Sequence, residues 1–278
     1  MKSRASISAI AGTLLVAASF AARTSGEAPM PATLAGTGLY EPGSTQVRAP
    51  HEPFEPAYPL WTDAMGKRRW LYVPAGSRID KSDPDAWDFP RGTRAWKEFR
   101  RGDTRVETRF IERLADGSWR FATYVWNAEG TEARLAPAAG LPERGIPSRE
   151  DCLACHEGAP VPVLGYSAVQ LERTVAGRTR EEGAALGYLH GNCGHCHNES
   201  ALGGTGLFLA QSAADPARSE ALARASIAQR AADISRRLQS SNPYVRMPPL
   251  GVSIADAGGA AVIQRYLDTL DPPSRRAP

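Results

Sequence analysis

Asp151-Cys152-Leu153-Ala154-Cys155-His156 and Asn192-Cys193-Gly194-His195-Cys196-His197-Asn198 are the stretches that decide how the chain reads. Each contains Cys-x-x-Cys-His, the attachment signature of c-type haem. Two thiols one helical turn apart can each add to a vinyl group on one edge of a porphyrin. The next residue then lies under the iron, where imidazole is a good axial ligand. All four cysteines of the chain fall into these two motifs. Disulfides across a Cys-x-x-Cys turn would be strained, and a zinc site built from two such pairs is the other rival. Neither rival requires histidine directly after both second cysteines. The expectation is therefore two covalently bound haem c groups on Cys152/Cys155 and Cys193/Cys196, with chemistry of the one-electron kind.

Composition bounds the rest. The 278 residues suffice for one large or two small domains, and 42% hydrophobic content provides a core. The formal net charge is only +3, so no basic field marks a nucleic-acid partner. Lys2 and Arg4 precede an apolar run from Ile7 to Ala22, and Ser19-Phe20-Ala21 fits a cleavage site. Residues 1–22 read as a secretory signal peptide rather than a span, with an uncleaved anchor as the alternative. No cysteine ends that run, so no lipid anchor is expected, nor any transmembrane anchor after cleavage. Export agrees with haem attachment outside the cytoplasmic membrane, and the expected compartment is the periplasm.

Residues 23–56 are rich in Pro, Gly, Ala, Thr and Ser and read as a tether or a surface-hugging extended arm. Residues 57–146 have strand texture. Arg68–Val73 is aromatic and β-branched, Val106–Leu114 and Trp119–Asn127 alternate with period two, and Asp116-Gly117 marks a hairpin between them. Four or five antiparallel strands are expected. Residues 147–180 form a first haem-binding segment, in which Ser148 is the N-cap of a helix entering the first motif. Residues 181–272 read as helical: Arg180–Asn198 running into the second motif, then Ser219–Gln239, a loop with Met247-Pro248-Pro249, and Asp256–Leu270. The fold class is α+β, an N-terminal antiparallel β domain followed by an α-helical cytochrome c-type domain. The sequon Asn198-Glu199-Ser200 carries no weight beside a haem motif.

Two six-coordinate haems need four axial ligands, and His156 and His197 supply two. Met247 is the third, held in a loop stiffened by two prolines, where a thioether would raise the iron potential. His190 either reaches back to the haem on His156 or hydrogen-bonds a propionate. Met65 and His51 are further candidates for that haem, and His195, between two bonded cysteines, reads as surface.

The motifs Trp61-Thr62-Asp63, Phe89-Pro90-Arg91-Gly92-Thr93, Tyr124-Val125-Trp126-Asn127, Leu164-Gly165-Tyr166, Tyr188-Leu189-His190-Gly191-Asn192-Cys193 and Arg246-Met247-Pro248-Pro249 add a further layer. With them the chain, from about Tyr58 to Leu270, resembles bacterial dihaem c-type cytochromes with an N-terminal β region. The resemblance implies haem binding and electron transfer to or from a redox partner protein, and implies no substrate. Rival expectations are a dihaem peroxidase or oxidase with an open haem on His156, and the cytochrome subunit of a periplasmic dehydrogenase complex. The electron carrier is preferred over the enzyme.

Overall fold

The computed structural model describes residues 29–172, 175–200 and 205–270. The signal peptide expected at 1–22 lies outside the described residues, as does the start of the arm. Six strands, β1 (Glu52–Pro53), β2 (Gly66–Tyr72), β3 (Arg94–Arg101), β4 (Thr104–Arg113), β5 (Trp119–Trp126) and β6 (Ala133–Leu135), form one antiparallel sheet. Their spatial order follows the chain, so every connection is a hairpin or a short excursion. The expected hairpin at Asp116-Gly117 joins β4 to β5, with Gly117 at φ 94°, a backbone conformation that glycine adopts without a Cβ clash. β3, and β1 within the arm expected at 23–56, are strands that the sequence pattern did not announce, so six strands stand where four or five were expected.

Cross-strand partners share a face. On one face Trp70, Trp96 and Phe110 lie side by side. Residues 31–51 cover it, with Leu34 and Leu39 buried. Trp96 Nε1 donates to Thr37 Oγ1 at 2.9 Å, and the His51 ring stacks on Trp96 at 4.8 Å. The described part of the expected arm is thus packed against the sheet. The opposite face presents Leu71, Ala95, Ile111 and Phe121, which form one core with Val161, Val163, Tyr166 and Val169.

Among the described residues five helices follow the sheet: α1 (Arg149–His156), α2 (Ala168–Leu171), α3 (Arg180–Asn192), α4 (Pro216–Leu238) and α5 (Ala257–Leu270). A sheet followed by helices is the α+β arrangement expected. α1 starts where Ser148 requires it: Asp151 N donates to Ser148 Oγ at 3.1 Å, and Ser148 N donates back to the Asp151 carboxylate at 2.9 Å. That reciprocal box satisfies two otherwise orphaned amides. α3, α4 and α5 share a second core around Leu186, Leu189, Ile227, Ile234 and Ile263.

α3 stops at Asn192, short of the expected Asn198. Cys193 leaves helical geometry with φ −126°, and the next turns close through Cys196 N and His197 N donating to Cys193 O. Two causes are local. Gly191 and Gly194 lower helix propensity, and the Asn192 carboxamide turns aside to Tyr188 O and Trp61 N.

Candidate functional site

The site begins with α1, whose C-terminal half carries the first motif. Its axis lies over β5, and the His156 ring meets Phe121 at 5.0 Å between centroids. His156 Nδ1 is 2.6 Å from Pro162 O. A carbonyl only accepts, so Nδ1 carries the proton and Nε2 keeps its lone pair. This is the orientation that outer-shell carbonyls impose on metal-binding histidines. Burial pushes the imidazole down to about 4, so the neutral, ligating form persists at any ordinary pH.

The second motif closes α3 and is held next to the first. Asn198, 7% exposed, donates from Nδ2 to Gly158 O at 2.9 Å, Gly194 O at 2.9 Å and His195 O at 3.1 Å. One carboxamide therefore ties the chain just past the first motif to the backbone of the second. That use of the side chain leaves no room for a glycan.

Both motifs open onto one cavity of about 510 Å³. Its lining includes all four cysteines, His156, His195, His197 and Met247. The sheet contributes Arg69, Ala95, Lys97, Arg109 and Ile111, and the helical side contributes Leu189, Leu209, Ile234 and Leu238. The volume lies within the range of sites that enclose a cofactor-sized ligand. His51 is on the other face of the sheet, with Nε2 2.8 Å from Gly38 O, and neither it nor Met65 lines the cavity.

The Met247 loop is tied at both ends. Met247 N donates to Arg237 O at 3.1 Å, at the end of α4. The Arg246 guanidinium donates to Val252 O at 2.6 Å and Ser253 O at 3.1 Å. Asp63 accepts from Ser253 N at 2.8 Å and Ile254 N at 2.9 Å. Asp63 and Ala64 both take positive φ, 46° and 58°, an unfavourable backbone held in place by these bonds. Asp63, Asn198 and Arg246 are supporting residues that sequence reasoning passed over, although Asp63 and Arg246 stand in the motifs that carry the family resemblance.

His190 sits elsewhere. It lines a separate cavity of about 260 Å³ and not the one that holds the motifs. Gln211 N donates to His190 Nδ1 at 3.0 Å, so the proton of this half-buried, neutral ring is on Nε2. Such a ring offers a donor and not a lone pair, which matches the hydrogen-bonding reading of His190 and opposes the ligand reading.

His195 departs from its surface reading. It lines both cavities, and its ligand atom lies within 4.8 Å of the sulfurs of Cys155 and Cys196, which are equally close to each other. The loop geometry after Cys193 turns it inward. Cys155 donates to Cys196, which with burial pushes Cys155 up to about 12 and lowers Cys196. Burial likewise pushes Cys193 up to about 12 and raises Cys152. The raised values keep Cys152, Cys155 and Cys193 as thiols, the less nucleophilic form. The same trio could instead hold a soft divalent metal, whose binding would first have to strip the thiol protons.

Comparison of the chain with protein-family models, with curated proteins and with solved structures returns no match.

Proposed function

We propose that this protein is an exported dihaem c-type cytochrome, with a cytochrome c-type helical part, that passes single electrons to or from a redox partner in the periplasm. The observation that carries the reading is the enclosure of both Cys-x-x-Cys-His motifs and Met247 by one cavity. The residues fit the group. Cys152 and Cys155 would anchor one haem and Cys193 and Cys196 the other, with His156, His197 and Met247 as iron ligands. When bound, the haems supply reversible one-electron chemistry.

The chain's own contribution is position and environment. Pro162 O fixes the His156 ring so that Nε2 faces outward from its hydrogen bond. The Asp63–Arg246 clamp fixes the loop on which Met247 stands. Ala95 and Ile111 of the sheet wall the cavity and exclude water on the side of the first motif. The closeness of Cys155 to Cys196 brings the two attachment points together, and adjacent centres exchange electrons readily.

A second reading, a peroxidase or oxidase, is favoured by one observation. Among the described residues, the only histidines and methionines lining the large cavity are His156, His195, His197 and Met247. With His195 turned toward the sulfurs of Cys155 and Cys196, the haem at His156 would then keep one face open to small ligands.

The test is the mass and spectrum of the exported protein. Two covalent haems with both ferric centres low-spin and indifferent to cyanide establish the carrier. A high-spin centre that shifts with cyanide or peroxide selects the enzyme. A mature chain with a bound metal ion and no covalent porphyrin would defeat both.

A further inference from the structure

Each buried carboxylate of the sheet has its own cation. Glu98 pairs with Arg100 at 3.1 Å and Arg105 at 3.2 Å, Glu112 with Arg94 at 2.9 Å and Arg120 at 2.5 Å, and Glu107 with Arg109 at 2.6 Å. Two cations of the sheet that line the cavity are left over, Arg69 buried and Lys97 half-buried. Arg69 on β2 is 5% exposed and makes no side-chain hydrogen bond or ion pair with any described residue. Lys97 on β3 has no acid within ion-pair distance among the described residues, and its ammonium rests 5.1 Å from the Phe99 ring centroid. Arg69 and Lys97 are direct cross-strand partners, and Arg109 continues the row on β4. Like charges set opposite one another in a sheet repel, and an unpaired buried cation is strongly disfavoured. Both side chains line the cavity that holds the haem motifs. The arrangement is complete only with an anion between them.

We infer that Arg69 and Lys97 form a carboxylate-receiving site in the cavity wall, occupied by the propionate arms of the haem held at His156. The inference rests on the dihaem reading above. The guanidinium fork matches a carboxylate through two parallel N–H donors, and the ammonium serves as a point charge beside it. A haem carries two propionates, equal to the two unmatched cations. Removing either cation favours the oxidised, more positive iron, so the midpoint potential falls.

The test uses the full chain, exported and haem-loaded, as wild type and as Arg69→Gln, Lys97→Gln and the double variant. Met in place of Gln preserves apolar packing where a Gln variant does not fold. Haem per chain and both midpoint potentials are measured. Two haems should be retained. At a fixed potential, the oxidised-to-reduced ratio of one haem should rise about tenfold in the double variant, which is about 59 mV for one electron, while the other haem stays put. Arg69→Lys should recover part of the shift. Two haems with both midpoints unmoved would overturn the site. So would a shift seen in wild type only on adding succinate, which would make the occupant a free carboxylate. A low-spin to high-spin change in Lys97→Gln would make Lys97 an iron ligand and also overturn it. A wild type without covalent haem would defeat the dihaem reading itself, which separates that failure from this one.

Discussion

Two half-buried histidines, both neutral, are separated in role by a single hydrogen bond each. His156 donates from Nδ1 to Pro162 O, and His190 accepts at Nδ1 from Gln211 N. Ring chemistry does the rest, because a neutral imidazole has one donor and one acceptor nitrogen. His156→Ala should therefore abolish the low-spin spectrum of one haem, whereas His190→Gln should leave both spectra low-spin; visible and EPR spectra of the two variants decide this. Met247 is argued in the same way from its tethers. Met247→His replaces a thioether with imidazole and should lower one midpoint on the order of 0.1 V, within the roughly 0.8 V that axial ligands span. Spectroelectrochemistry showing no change would remove Met247 from the ligand set. Asn198 belongs at this scale as well. Its Nδ2 donates to three backbone carbonyls across the two motifs. Asn198→Ala should cost about 2 kcal/mol, since each such bond contributes about 1 kcal/mol and some reform to water. A thermal melt of the haem-loaded protein checks it.

Among the elements, α3 shows what a sequence pattern carries and what it leaves out. Its apolar residues announced a helix, and Thr179 does cap it, accepting from Glu182 N at 3.1 Å. The function of its glycines was not legible, because it depends on a segment more than a hundred positions away. A Cβ on Gly187 would meet the Tyr58 ring at 2.1 Å, and one on Gly191 would meet Tyr58 O at 2.1 Å. These glycines let residues 58–61 lie directly on the helix, where Asn192 Oδ1 accepts from Trp61 N at 2.7 Å. Gly191→Ala meets backbone rather than a movable side chain. It should destabilise the fold by about 2–3 kcal/mol, read as a lower denaturation midpoint and fewer haems per chain. A variant as stable as wild type would mean that the segment is not held against α3. β3 was hidden for a different reason. Apart from Ala95, Trp96 and Phe99, every residue of Arg94–Arg101 is charged, and the charges fall on both faces. Both faces are covered, so apolar–polar alternation, the usual strand signal, has no solvent side to create it. α1 and β4 were legible because their caps and alternation are local.

At the scale of the whole molecule, the long-range ties are carboxylates and carboxamides rather than apolar contacts alone. Asp85 accepts from Ala213 N at 2.5 Å, joining the strand region to the approach of α4. Glu182, 4% exposed, accepts from Arg224 at 2.7 Å and from Tyr266 at 3.0 Å, so one carboxylate joins α3, α4 and α5. None of these partners is readable from spacing, which explains why the helices were foreseen and their assembly was not. The same groups fix the response to acid. His190 is held at about 4, against 6.5 when unfolded, by burial. Its lowered value means that the unfolded chain binds the proton first, so stability is complete above pH 6.5 and falls between 6.5 and 4. The fall from this residue is on the order of 2–3 kcal/mol. Glu182 acts in a lower window. Burial alone would raise it, but hydrogen bonds from Arg224, the Arg178 amide and Tyr266 outweigh that and hold it below its usual range. Its contribution is present above the ordinary carboxylate value and is lost as the pH drops through the depressed one. Melting temperature measured from pH 8 to 3 should therefore stay level above 6.5 and then decline in two stages. His190→Gln should shrink the first stage, to which His156 and His51, lowered by burial in the same direction, also contribute, and leave the second, while Glu182→Gln should lower stability near neutrality by about 3 kcal/mol and flatten the second. A first stage undiminished in His190→Gln would place the proton uptake on other groups, and the separation of roles drawn between the two histidines would lose its support.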